Sequence, residues 1–401
     1  MKRASKRKVP CNIQSICKIC PYVNSDYLSS LDRKAKRDIK KLKEAGLLEE
    51  TRLMRTIPSP RKLGYRTVFK LAIRKNPDRK SENRFRLGLF ETGTHEIGPD
   101  LTGCPLHSAP LRNFLKVLGP LLEASPLNPY DEKSHTGDLR YLIGRTNQEG
   151  NALMVTWVTT QSIPIQIEEL TLAIQKVGIP LRVSAMSIHS KRDNVIWGEE
   201  TIVLTKDSTI EEEIVGLRLR LGTASFFQVN PWQAENIYRR ISHLSSKQGQ
   251  REVAWDLFSG VGPISLVLSQ NFKKVLSIEE NTESSNLVIQ NAIINGCEEK
   301  VVVASSRTED SESQIPDWAE SPDLIVANPS RRGIHNNGRK LIKNALSHKA
   351  HSKLLYLSCN IDSFTRDAVD FQSAGLCLRE LQGFDMHAQT DQVEWLGVFE
   401  L

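Results

Sequence analysis

Three patterns of apolar and polar positions follow one another along the chain. Over Ser25 to Leu48, Leu28, Leu31, Ile39, Leu42 and Leu47 recur at helical spacing with basic residues between them, so an amphipathic helix is predicted there, ended or frayed by Gly46. From Gly64 the spacing shortens to alternating runs: Tyr65 to Ile73, Arg84 to Phe90, Leu139 to Gly144, Ala152 to Val158 and Arg182 to Ile188. Asn, Asp, Gly and Pro separate these runs, which predicts strands of an antiparallel sheet with a helix over Ile167 to Val177 packed on it. Beyond about residue 216 the order becomes strand, glycine turn, helix, repeated. Val253-Ala-Trp-Asp256-Leu-Phe258 runs into Ser-Gly260-Val-Gly262 and a helix from Ile264 to Gln270, and Lys274 to Ile278 ends in Glu279 before a helix from Thr282 to Asn295. Val301 to Ala304, Asp323 to Asn328 and Lys353 to Ser358 supply three more strands, and the segments around Gly383-Phe-Asp385-Met386 and Trp395 to Leu401 the last two. We expect an α/β, Rossmann-like sheet here.

A chain of 401 residues exceeds one ordinary core. The patterns divide it into a segment at 1–55, a small α+β domain at 56–215 and an α/β domain at 216–401. Charge sharpens this division. Residues 1–100 hold 25 Lys and Arg against 11 Asp and Glu, whereas the rest hold 29 against 36. Concentrated positive charge supplies the sequence-independent part of nucleic-acid affinity, and basic and aromatic residues interleave on the early strands as such surfaces require. The start, Met1-Lys-Arg-Ala-Ser-Lys-Arg-Lys, lacks the apolar stretch of a signal peptide, and no apolar run reaches membrane-spanning length. A cytoplasmic monomer with an RNA partner is therefore expected.

Seven cysteines in such a chain argue against a disulfide framework. Cys11, Cys17 and Cys20 lie within ten residues, and Cys104 precedes a proline. Four soft ligands suit zinc or an iron–sulfur cluster, and three clustered thiols plus a distant one fit a cubane cluster better than paired zinc knuckles.

In the α/β part, the Gly260-Val-Gly262 turn lets a ligand approach the backbone, and an acidic strand end about twenty residues on, Glu279, is how doubly wound folds grip ribose hydroxyls. The third glycine of a dinucleotide fingerprint is absent, which favours S-adenosylmethionine over a nicotinamide cofactor. Asn328-Pro ends the fourth strand, and the fifth ends in Cys359. A thiol at a strand's carboxyl end sits where such sheets place their chemistry.

Taken together, Phe226-Phe-Gln228-Val-Asn230-Pro, Asp256-Leu-Phe258-Ser-Gly-Val-Gly262, Asn328-Pro-Ser-Arg-Arg-Gly333, Leu357-Ser-Cys359-Asn360 and Phe384-Asp-Met386 followed by Val393-Glu394 make the chain resemble the RNA 5-methyluridine methyltransferases. Within them it is most similar to the iron–sulfur branch that acts on 23S rRNA. The resemblance covers nearly the whole length and implies an S-adenosylmethionine-dependent (class I) domain behind an iron–sulfur segment and a small RNA-binding domain. It further implies a [4Fe-4S] cluster on Cys11, Cys17, Cys20 and Cys104. Cys359 would add to carbon 6 of uracil and Glu394 would take the proton from carbon 5. Gln228, Phe258, Gly260, Gly262 and Glu279 would hold the methyl donor, and Asn328 the donor or the uracil edge. Departures from the family pattern are Ser330, Ser259 and His387-Ala-Gln389-Thr390. An adenine or cytosine amino-methyltransferase also carries an Asn-Pro corner, but it needs an aromatic residue where Arg331 stands. A non-catalytic RNA-binding protein has no use for both Cys359 and Glu394, and tRNA is the other RNA substrate the family allows.

Overall fold

Strands that are apolar on both faces need cover on both sides, and the carboxyl-terminal half of the chain holds four: Val253–Leu257, Lys274–Glu279, Leu324–Ala327 and Lys353–Ser358. In a computed structural model that describes residues 11–401 apart from Arg79, Thr92, His95, Asn194 and 247–250, they form the centre of an eight-stranded sheet. The basic run at residues 2–8 lies outside the described residues. The sheet runs Arg52–Leu53, Cys377–Phe384, Glu394–Glu400, Lys353–Ser358, Leu324–Ala327, Val253–Leu257, Lys274–Glu279, Val301–Ser305. The last five of these are mutually parallel, while Glu394–Glu400 is antiparallel to both of its neighbours. Strand order reverses between Val253–Leu257 and Leu324–Ala327, the position at which open α/β sheets leave a ligand crevice at their carboxyl ends.

A second sheet of seven strands orders as Ile97–Asp100, Phe85–Phe90, Val68–Lys75, Leu139–Thr146, Leu153–Thr159, Leu181–Ile188, Glu200–Val203. Its pairings are antiparallel except one. Leu153–Thr159 and Leu181–Ile188 run parallel, because the helix Pro164–Lys176 carries the chain back across the sheet between them. Alternation alone does not distinguish the two pairings. The helix Ala109–Ala124 also escapes the sequence pattern, with Pro120 inside it.

The chain divides into two compact units that differ from the three consecutive segments expected. One comprises Met1–Asn24 and Lys62–Glu211, of which residues 11 onward are described, and the other Ser25–Arg61 and Glu212–Leu401. The amphipathic helix, observed at Tyr27–Glu44, is the reason. Its Ala35 and Leu42 enter the same core as Trp255, Tyr356 and Trp395, and Arg52–Leu53 pairs with Glu380 and Leu381. Ile13, Cys17 and Cys104 instead pack on the core of the seven-stranded sheet. Among the described residues no helix is long and apolar enough to cross a membrane.

Candidate active site

The crevice is built by a strand that must turn sharply. After Leu257 the backbone takes left-handed conformations at Phe258 (φ 61°), Gly260 (φ 57°) and Gly262 (φ 85°) before the helix Pro263–Ser269 begins. A β-carbon on Gly262 would stand 2.9 Å from Val288 Cγ1, so this position needs glycine for space as well as for conformation. The turn is held from outside: the Gly260 amide donates to Glu279 Oε2 at 2.9 Å, and the Asn281 amide to Glu279 Oε1 at 2.9 Å. Both Glu279 oxygens keep a lone pair for a further donor, since an ionised carboxylate accepts about four hydrogen bonds. Phe226, Gln228, Phe258, Ile264 and Asn328 line one cleft over this turn. Phe226 is 61% exposed at the mouth of this cleft. Beneath the turn Asp256 is fully buried, and its Oδ2 accepts from Ser265 Oγ at 2.6 Å. Burial, with Glu279 adding to it, pushes its carboxyl up to about 7.

Asn328 and Cys359 sit just past the carboxyl ends of neighbouring parallel strands, paired as far as Ala327 with Tyr356. On the other side of the thiol strand, Ser358 pairs with Trp395 and Phe384 with Glu394, so one step further in register Cys359 faces Glu394. Glu394 is 4% exposed, and burial pushes its carboxyl up to about 7, with Arg331 acting against the rise. The Cys359 thiol is pushed up to about 11, first by burial and then by the Glu394 charge, while Arg331 lowers it through charge and a hydrogen bond. Arg331 also donates from Nη2 to Gln392 Oε1 at 2.9 Å. Its charge thus acts on both thiol and carboxyl, a role the sequence does not advertise beyond its position in Asn328-Pro-Ser-Arg331. Asn360 caps the following helix, Ile361–Ser373, through Asp362 N at 2.9 Å. Asn230 lies away from the cleft and braces the fold, donating to Ser59 Oγ at 3.0 Å and to the Met386 carbonyl at 3.1 Å.

The remaining predicted ligands are in the other unit. Cys20 is pushed up to about 12 by burial, then by Cys104 and Cys17, with a smaller contribution from Cys11 and a lowering from Arg66. The Cys104 thiol is raised by burial, and the N–H groups of Leu106 and His107 lower it. Cys20 thus feels the other three thiols electrostatically, but among the described residues no three His, Cys, Asp or Glu side chains stand in metal-holding geometry, so the structure does not assemble the expected four-thiol site.

Comparison with known proteins agrees on the fold. The solved tRNA (uracil-54, C5)-methyltransferase of Pyrococcus abyssi, in complex with S-adenosyl-L-homocysteine, superposes with a TM-score of 0.72 at 23% identity, covering 95% of this chain and 85% of that one. The chain is an enzyme with the α/β methyltransferase fold. An uncharacterized RNA methyltransferase of Gloeobacter violaceus is 28% identical over 393 residues, 98% of this chain and 82% of that protein. Another, from Clostridium tetani, is 29% identical over 398 residues, 98% and 82% respectively. Residues 209–326 match the TRM5/TYW2 methyltransferase domain. That match takes in the cleft residues from Phe226 to Ile264 but stops short of Asn328 and Cys359, so it bears on the half of the site that would hold a methyl donor and not on the base that is modified.

Proposed function

We propose that this enzyme transfers a methyl group from S-adenosylmethionine to carbon 5 of a uridine in RNA, with 23S rRNA as the substrate. The observation that carries the reading is the convergence of Cys359, Glu394 and Arg331 beside the cleft lined by Gln228, Phe258 and Asn328. Bound S-adenosylmethionine supplies an electrophilic methyl group. Gln228, Phe258 and the Gly260–Gly262 turn hold it, with Glu279 available to ribose hydroxyls and Asn328 to the uracil edge. Carbon 5 of uracil is a weak nucleophile until a sulfur adds to carbon 6, and Cys359 is the sulfur available. Arg331 favours its thiolate. After methylation the Glu394 carboxylate takes the proton from carbon 5, the carbon 5–carbon 6 double bond re-forms and the thiolate leaves. A carboxyl near 7 is poised to accept and release that proton at neutral pH. The target base has to leave its stack to reach the site. The cysteines at 11, 17, 20 and 104 fit a [4Fe-4S] cluster in donor chemistry, because a cationic core would offset the burial and, after it, the neighbouring thiols that raise Cys20.

Two variants test the reading. Cys359→Ala is expected to abolish methyl transfer while S-adenosylhomocysteine affinity stays within about threefold, and Glu394→Gln to trap RNA on the protein in a denaturation-resistant band. Retained turnover in the first, or no band in the second, overturns the covalent route. Mapping 5-methyluridine in 23S rRNA and tRNA from a deletion strain decides the substrate: loss from tRNA alone overturns the rRNA assignment.

A further inference from the structure

The helix Tyr27–Glu44 grips the segment that carries Glu394. Lys34 is 2% exposed, and its ammonium donates to Asp385 Oδ1 at 2.5 Å, to the Gln392 carbonyl at 3.0 Å and to the Thr390 carbonyl at 3.1 Å. Three acceptors use every hydrogen an ammonium has. The other oxygen of Asp385 accepts from Tyr27 Oη at 2.7 Å. One turn beyond Lys34, Asp38 Oδ2 accepts from Trp395 Nε1 at 2.9 Å, and between them Arg37 Nη2 donates to the Asp391 carbonyl at 2.7 Å. Asp385 directly follows Phe384, the residue paired with Glu394, and Gln392 and Trp395 lie on either side of Glu394 along the chain. The helix therefore pins the 385–392 connection at both ends and holds both flanks of the carboxyl residue.

Such an arrangement is expensive to bury. Desolvation draws the Lys34 ammonium below the usual lysine range, helped by the Arg37 charge, while the Asp385 carboxylate and, more weakly, that of Asp391 oppose this. Buried ion pairs rarely outdo well-packed apolar residues in stability, which leaves fixed geometry as what this one supplies.

We infer that Lys34 and Asp38 are positioning residues for Glu394, setting the place of its carboxyl at the start of its strand so that the proton on carbon 5 is taken in line. The inference rests on the proposed roles of Cys359 and Glu394. It assigns control of the second half of the reaction to a helix that touches no reacting atom. In that half the electrons of the carbon 5–hydrogen bond form the carbon 5–carbon 6 double bond, the carbon 6–sulfur bond breaks with its pair going to Cys359, and Glu394 receives the proton.

Single-turnover assays with the full chain, methyl-labelled S-adenosylmethionine and substrate RNA test it by timing adduct formation and release of methylated RNA separately. Lys34→Met is expected to slow release about 10- to 100-fold, so that adduct accumulates, while adduct formation stays within about threefold. The pair Lys34→Met with Asp385→Asn leaves no bare buried carboxylate and is expected to behave the same way. Asp38→Ala should give a milder version, and Asp38→Asn, which retains an acceptor for Trp395 Nε1, should restore release. Formation and release falling in parallel together with the melting temperature would mark the contacts as merely structural and overturn the inference. So would release that is unchanged in every variant. Glu394→Gln runs alongside: if it traps no adduct, the proposed function itself fails, whereas adduct with Glu394→Gln but none with the Lys34 and Asp38→Ala variants defeats only the positioning role.

Discussion

Cys359 shows why the proposed reacting groups have to be read as a set. Alone, a half-buried thiol pushed up to about 11 is a poor nucleophile at neutral pH. Its two polar neighbours act in opposite directions, Glu394 raising it and Arg331 lowering it, so a charged Glu394 is expected to hold the thiol higher than a protonated one. Well below its pKa the thiolate fraction grows about tenfold per pH unit, and the rate of Cys359 alkylation by iodoacetamide should climb accordingly from pH 7 to 9. Glu394→Gln removes the raising charge. It is therefore expected to lower the thiol pKa and speed alkylation at a fixed pH, read on the Cys359 peptide by mass spectrometry; an unchanged or slower rate would separate the two groups. Gly262 makes a second residue-level prediction. Gly262→Ala combines a left-handed backbone with a clash against Val288, whereas Gly296→Ala meets the same backbone cost in open space. The first should cost about 3 kcal/mol and the second about 1 kcal/mol in urea unfolding. Glu394 entered only through the family resemblance, whereas the strand-end position of Cys359 and the glycine turn were legible in the sequence because their signals are local. Arg331, Lys34 and Asp38 were not, since each takes its meaning from residues far away in the chain.

At the level of elements, what the sequence conveyed well was periodicity. The five strands from Val253 to Ser358 and the helices between the first three of them appear within a residue or two of their expected bounds, because apolar runs, glycines and helix starts agree there. The sixth strand begins earlier than expected, at Cys377, and stops at Phe384, so Asp385 and Met386 belong to the connection that follows. Periodicity says nothing about partners, which is why the parallel pairing of Leu153–Thr159 with Leu181–Ile188 was missed. Ala109–Ala124 was missed for another reason. Leu111, Phe114, Leu115, Leu118 and Leu122 are spaced as a helix, but Gly119-Pro120 reads as a stop, although the ring only removes one hydrogen bond near the end. The helix Tyr27–Glu44 falls within the expected stretch but groups with the eight-stranded sheet, since an amphipathic stripe identifies a face without naming what covers it. Its membership in that sheet's unit can be measured. Leu42 is fully buried in the core shared with Trp255 and Trp395, so Leu42→Ala should cost about 3 kcal/mol and lower the same unfolding transition that S-adenosylhomocysteine raises. A loss confined to a transition the ligand does not move would return the helix to the other unit.

For the whole molecule, the chain's path matters more than its order. It leaves the unit that bears Cys11, Cys17, Cys20 and Cys104 after Asn24, contributes the helix and an edge strand to the unit of the eight-stranded sheet, and returns at Lys62. Cys11, Cys17 and Cys20 thus lie on a short segment that is joined to the seven-stranded unit through packing of Ile13 and Cys17 on its core. A cluster bonded to these thiols and to Cys104 would fasten that segment where apolar area alone is small, and a metal's binding energy is folding energy for whatever it fastens. Protein purified without oxygen should then be brown and contain about four irons per chain; stoichiometric zinc would replace the cluster with a tetrahedral site. Cys20→Ser should lose the colour and expose residues 11–24 to proteolysis. The same variant should bind S-adenosylhomocysteine within about twofold of the parent, because the cleft residues and the helix that braces Glu394 are held by the other core. Weaker RNA binding with unchanged donor binding would mark the cysteine segment as part of substrate recognition. Donor binding lost along with the colour would instead mean that the two units do not fold independently, and the division of labour between them would fall.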